Sequence, residues 1–397
     1  VSTGTGVGIN ALLSRRLGER RFEDASLVAV NGIFLAVLSA LAFALFGFFG
    51  VEPFFRAFTN SSALLKMGAQ YTSIVSIFSF GVFMSIAGER IIQATGNTFY
   101  SMVAQMSGAV TNIILDPILI FGLLGMPRLE VAGAAIATVI GQFVSMGVIL
   151  WMNHKKNHEV RLTAKGFRPN GRIIREIYRI GLPSIIMQAL GSVMTFGMNK
   201  ILILFSQTAV AVFGIYFKLQ SFVFMPVFGL TNAMIPIVGY NYGARDSKRI
   251  MQTIRLSGAM AVTIMTVGTL MFQLLPGWAL RNLFDASPEM LEVGVSALRI
   301  ISISFIPAAI AIVCSSGFQA LGNGMYSLGI SFCRQIGVIL PAAYLLGRYV
   351  GLSATWWAFP LSEAVSLTMS VVMFGRMYHR QIKTLEMRGD GSALPSD

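Results

Sequence analysis

Five residues between Phe99 and Gly125, namely Ser101, Gln105, Gly108, Asn112 and Asp116, follow one another at spacings of 4, 3, 4 and 4. That spacing puts them on one face of a helix. Pro117 follows Asp116 and has no N–H to offer the carbonyl of Ile113, so that oxygen is left without its helical donor. A carboxylate, an amide oxygen and a loosened carbonyl then converge on one side of a kinked helix. Such a set suits a hard cation such as Na⁺, and it suits equally a carboxylate that takes up and releases a proton. A structural ion pair or an interfacial cap is the alternative use of Asp116, although an acid this far from either charged flank is expensive in an apolar setting.

Two further stripes are uncharged. Thr138, Gln142 and Ser145 share one face of the next apolar segment. Ser184, Gln188, Ser192, Thr195 and Asn199 recur at spacings of 4, 4, 3 and 4 within 176–203, with Lys200 after Asn199. Polar stripes of this kind either line a cavity or hydrogen-bond neighbouring helices together. Lys218, Arg299, Arg334 and Glu363 also fall within or near apolar segments, and Arg334 with Glu363 would make a plain structural pair if the two met. Gly4-Thr5-Gly6-Val7-Gly8 resembles a phosphate loop but lacks the Gly-Lys-Ser/Thr ending and follows no strand. His154, His158 and His379 lie in polar loops, and Cys314 and Cys333 have no metal-site spacing and read as structural thiols. With no nucleotide-binding motif, a primary pump is not expected, and neither is an enzyme or a resident cofactor.

The elements that position these residues must cross a membrane. The chain is 55% hydrophobic and 12% charged, with a mean hydropathy of +0.70, against about 25% charge in a soluble domain. No charged side chain occurs between Asp24 and Glu52, Lys66 and Glu89, Glu130 and His154, or Arg255 and Arg281. Each gap exceeds the roughly 20 residues that a helix needs to cross the hydrocarbon core. Spans are expected at 25–51, 64–92, 99–125, 131–152, 176–203, 208–240, 253–276, 292–319, 326–347 and 352–374, with 1–14 as the end of another, about 11 in all. The fold class is an all-α polytopic membrane protein of two six-helix bundles, the first incomplete: residues 1–152, a cytoplasmic linker 153–175, a second bundle 176–376 and a cytoplasmic tail 377–397.

The net charge of +13 follows topology rather than nucleic acid. One set of loops holds 20 of the Lys and Arg residues, around Arg15–Arg21, 155–179, 245–255 and 376–388, and the other set holds 5. The first set is cytoplasmic by the positive-inside rule, which puts 53–63 and 277–290 outside. These basic runs read as solvated faces, with lipid headgroup contact as the alternative.

A ten-residue stretch occurs twice. Gln93-Ala94-Thr95-Gly96-Asn97-Thr98-Phe99-Tyr100-Ser101-Met102 and Gln319-Ala320-Leu321-Gly322-Asn323-Gly324-Met325-Tyr326-Ser327-Leu328 share six positions at an offset of 226. Gly-Asn between apolar runs is a tight turn. Gly4 and Gly18 match Gly229 and Gly243 at an offset of 225, and Val131 to Gln142 loosely match Leu352 to Glu363. A duplication of six spans predicts two halves related by a pseudo-two-fold along the membrane normal, with a cavity between them and Gln105, Gln142, Gln188, Thr195 and Asn199 as its polar lining. It also predicts a helix and most of a second before Val1, about 50 residues at helical rise, so that the chain as given would be N-terminally truncated.

These motifs together resemble the multidrug and toxic compound extrusion (MATE) family. The resemblance rests on Gln93 to Thr98, on Asn112-Ile113-Ile114-Leu115-Asp116-Pro117, on Val131 to Thr138, and on Pro236 to Gly243 and Gly322 to Arg334 in the second half. It implies twelve helices in two bundles and export of cationic or amphipathic compounds in exchange for Na⁺ or H⁺. It further implies a cation site that maps to Asn112, Asp116 and Thr138, together with an acid on a first helix. One branch of the family also uses acids in the seventh and tenth helices, and spans 176–203 and 292–319 have none centrally. The expected setting is a bacterial cytoplasmic (inner) membrane, the expected form a monomer, and the expected partners small-molecule drugs or organic cations and lipid. A lipid-linked glycan flippase of the same superfamily, with several cationic residues in its cavity, is the nearest alternative. A passive channel is the alternative of a different class.

Overall fold

The computed structural model describes residues 1–58, 61–162 and 167–385. Residues 163–166 of the expected linker, 59–60 of an expected outer loop and the tail from 386 onward lie outside the described residues. The chain divides into two compact units, Val1–Gly181 and Leu182–Asp397. The first holds α1 (Ser2–Gly18), α2 (Phe22–Phe49), α3 (Val51–Phe58), α4 (Ser62–Ile77), α5 (Phe80–Ala94), α6 (Thr98–Phe121) and α7 (Glu130–Lys156), and the division falls within α8 (Gly171–Leu202). The second continues with α9 (Gln207–Gly243), α10 (Ser247–Leu274), α11 (Pro276–Phe284), α12 (Pro288–Ser302), α13 (Phe305–Ala320) and α14 (Gly324–Phe332). A π-helical segment (Cys333–Ile339), α15 (Leu340–Tyr349), α16 (Leu352–Thr355) and α17 (Ala358–Met377) complete it.

Among the described residues, eight helical stretches are long and apolar enough to cross a membrane, and two bent pairs reach that length together. Each of the ten expected spans falls on one of them, and α1 covers 2–14 of the expected 1–14. Their apolar surface is not all inward: Leu38, Leu41, Leu45 and Phe48 of α2 are exposed, the arrangement expected where lipid rather than water is the solvent. Helix starts are set locally. Ser206, Asp246 and Ser287 accept hydrogen bonds from the backbone N–H of Ala209, Arg249 and Met290, satisfying donors that a helix start leaves open.

The duplication is visible in the backbone. Gly96 and Gly322 both sit at positive φ, 85° and 83°, and the N–H groups of Asn97 and Asn323 close the turns on the carbonyls of Ile92 and Phe318. Arg20 and Arg245, 225 residues apart, share φ values of 58° and 61° in the turns after α1 and α9. The spans expected at 64–92 and 292–319 are each broken, by 51° between α4 and α5 and by 47° between α12 and α13. The breaks fall at Ser79 and Ser304, again 225 residues apart. The core of the first unit gathers Ile9, Leu13, Leu17, Val28, Ile91 and Ile177. In the second, the buried rings of Phe213, Phe305, Phe318 and Trp356 fill the interior.

Candidate functional site

Asp116 lies on α6, and Thr138 on α7, the helix that follows it. Asn112 Nδ2 donates to Asp116 Oδ1 at 3.4 Å and lies 3.5 Å from Thr138 Oγ1, whose own proton goes to the carbonyl of Ala134 at 2.9 Å. Both contacts of Asn112 are longer than an ordinary hydrogen bond, so the amide is shared loosely between carboxylate and hydroxyl. All three side chains are partly exposed. The helices come this close because a Cβ on Gly108 or Gly141 would lie 2.7 Å from the carbonyl oxygen of the other, the small-residue packing of membrane helices. Among the described residues, no group of three or more His, Cys, Asp or Glu side chains gathers as a metal site. A cation here would be held by one carboxylate and neutral oxygens, so a single positive charge, a proton or Na⁺, balances the set.

The same face of α6 carries a second acidic network, which the sequence pattern did not single out. Glu89 of α5 is buried, 6% exposed. Its Oε2 accepts from Gln105 Nε2 at 2.8 Å and its Oε1 from Ser85 Oγ at 3.3 Å, and Ser85 meets Ser145 of α7 at 2.8 Å. One turn on, Gln93 Nε2 donates to Ser101 Oγ at 2.7 Å and Gln93 Oε1 accepts from Arg90 Nη1 at 3.1 Å. Glu89 ends a charge-free run and so reads as a flank. The signal that finds it is the spacing of Ser85, Glu89 and Gln93, four residues apart on one helix face.

The second unit contains a cavity of about 700 Å³, within the range of small-molecule sites. Gln188, Ser192, Thr195 and Asn199 of α8 line one side, and Phe217, Phe224 and Phe228 of α9 another. Arg334 and Gln335, from the π-helical segment, complete it. Arg334 Nη1 donates to Glu363 Oε1 of α17 at 2.7 Å, so the pair that sequence alone left open is formed. Of the residues expected to line a substrate cavity, Gln188, Thr195 and Asn199 come together here. Gln105 and Gln142 belong to the first unit, Gln105 on Glu89 and Gln142 with a buried carbonyl oxygen that has no partner among the described residues. Lys200 and Lys218 are exposed, with ammonium groups over aromatic rings, 5.6 Å from the centre of Phe196 and 5.9 Å from that of Phe284.

Comparison with known proteins agrees with this architecture. A family model described as MatE matches residues 1–118 and 183–345. The multidrug export protein MepA of Staphylococcus haemolyticus is 25% identical over 375 residues, covering 94% of this chain and 81% of that protein. A protein of Shewanella oneidensis named FAD transporter is 26% identical over 369 residues, covering 91% and 80%. The solved structure of the MATE multidrug transporter DinF-BH in complex with R6G superposes with a TM-score of 0.87 at 32% identity, over 96% of this chain and 84% of that one. The fold is thus that of MATE transporters, with their two pseudo-symmetric bundles, and the chain belongs to the MatE family of membrane transporters.

Proposed function

We propose that this chain exports drug-sized amphipathic compounds by alternating access, driven by influx of Na⁺ or H⁺ through Asp116, with Asn112 and Thr138 as neutral co-ligands. The observation that carries the reading is the loose Asn112–Asp116–Thr138 set, one carboxylate beside a neutral amide and a hydroxyl on a helix that contains Pro117. An ion that must be bound and released in every cycle needs a site that it can neutralise and leave. Multidrug export by MepA, the R6G complex of DinF-BH and the FAD transporter support a broad range of aromatic substrates. A monomer in a bacterial inner membrane with a cytoplasmic C-terminus is part of the proposal.

A glycan flippase is less well supported. Of the four embedded or near-membrane cations, Arg334 lines the cavity of the second unit, while Lys200 and Lys218 sit over aromatic rings. In membrane vesicles, dye export should collapse when the coupling gradient is dissipated, and counterflow should saturate. Export that ignores both the pH and the Na⁺ gradient, or a flux that never saturates, would overturn the reading, the second result in favour of a channel.

A further inference from the structure

The charge of the second unit's cavity is unlike that expected for a cation exporter. Among its lining residues the one charged side chain is Arg334. The acid that balances it, Glu363, is 7% exposed and stands outside the lining. A guanidinium has five N–H donors in a planar fork, and Glu363 Oε1 meets Nη1. The cavity therefore meets the cationic side of the pair.

Gln335 adds an independent observation. It lines the cavity, it is 5% exposed, and its Oε1 has no hydrogen-bond partner among the described residues. A buried polar group of this kind costs free energy until something satisfies it. That Arg334 and Gln335 both reach the cavity follows from the π-helical segment. A helix closed by i→i+5 bonds has more residues per turn than an α-helix, so successive side chains diverge less, and such segments recur at functional sites. Phe217, Phe224 and Phe228 supply flat apolar walls beside these polar groups.

We infer that this cavity selects aromatic ligands bearing a carboxylate, sulfonate or phosphate. Arg334 holds the anion, Gln335 Oε1 accepts an O–H or N–H that the ligand carries beside it, and Glu363 fixes the guanidinium while damping its charge. The inference rests on the reading of this cavity as a compound-holding site, and it gives that site a charge preference opposite to that of an organic-cation pocket.

Two xanthene dyes of nearly one shape test it: fluorescein, an anion near neutral pH, and rhodamine 123, a cation. Binding to the full chain in lipid nanodiscs is read by fluorescence anisotropy with no ion gradient, after subtraction of empty nanodiscs. Fluorescein should bind more tightly than rhodamine 123. Glu363→Gln should tighten fluorescein roughly two- to fivefold, the scale of a partly exposed charge pair. The double variant Arg334→Gln/Glu363→Gln, which leaves no buried charge unpaired, should weaken it about tenfold or more. Tighter rhodamine 123 binding by the unmodified chain, or a double variant that keeps its fluorescein affinity, overturns the inference. Charge-selective binding without gradient-driven export would instead overturn the transport reading and leave this one standing.

Discussion

The hairpin α6–α7 and its counterpart in the second unit share a frame and differ in chemistry. Both begin after a Gly-Asn turn, and Ser101 corresponds to Ser327 at the 226-residue offset. Further along, Gly108 corresponds to Arg334, and Gln142 to Glu363 by the Val131–Leu352 match. Where the first unit closes backbone on backbone through Gly108 and Gly141, the second inserts an ion pair of 2.7 Å and a π-helical segment. The positions of Asn112, Asp116 and Thr138 are taken by Val338, Ala342 and Phe359. In the first unit Asp116 accepts from a neutral amide, Asn112, and in the second Arg334 is matched by an acid, Glu363. Duplication thus preserves the turn, the break and the helix order, because these are backbone features. The side chains between them are free to diverge.

The largest effect expected from breaking this contrast is at Asp116. Asp116→Asn keeps the shape and a contact to Asn112 but cannot exchange an ion, so gradient-driven export should fall to background at equal expression. Resistance equal to that of the unmodified chain would show the carboxylate to be structural. Next comes the ion pair. Arg334→Met leaves Glu363 buried without its cation and should destabilise the protein by about 3–5 kcal/mol, whereas Arg334→Met/Glu363→Leu should recover most of that loss. Thermal unfolding in nanodiscs separates the two, and a double variant no better than the single one would mean that the pair contributes little beyond packing.

How far the sequence could be read follows the same division. Spans were legible because the cost of burying charge leaves gaps longer than a bilayer, and the turns at Gly96 and Gly322 were legible because few residues tolerate positive φ. The breaks at Ser79 and Ser304 were not. Neither has a proline at the break itself, and an apolar run reads alike whether straight or bent. At the site, helical spacing placed Asn112 and Asp116 on one face, and resemblance added Thr138 from the next helix. Glu89 was hidden by its place at the end of a charge-free run, where it reads as a flank. Contact between Arg334 and Glu363 depends on two helices and on a π-helical phase shift, which no single-helix periodicity encodes.

The glycine contact gives a smaller effect. A Cβ on Gly108 would meet the Gly141 carbonyl at 2.7 Å and the Ser145 side chain at 2.9 Å. Gly108→Ala must therefore push α7 away and should cost about 1–3 kcal/mol. The displacement also pulls Thr138 from Asn112, so ion dependence of export should weaken along with thermal stability. Full stability of the alanine variant would show that the helices have slack here, and the contrast with Arg334 would lose its steric basis.

The smallest effect tests the part of the comparison that claims identity. Gly96 and Gly322 have φ values of 85° and 83°, and a Cβ on either would meet nothing within 4 Å. Alanine there pays no steric clash with a neighbour, only the strain of a left-handed backbone, about 1 kcal/mol. Because the two turns close with the same hydrogen bonds, from Asn97 to Ile92 and from Asn323 to Phe318, Gly96→Ala and Gly322→Ala should lower stability by the same amount. Asparagine, which visits this region more readily, should cost less than alanine at both. Unequal losses from the two alanine variants would mean that the turns are alike in shape but not in the load their units place on them.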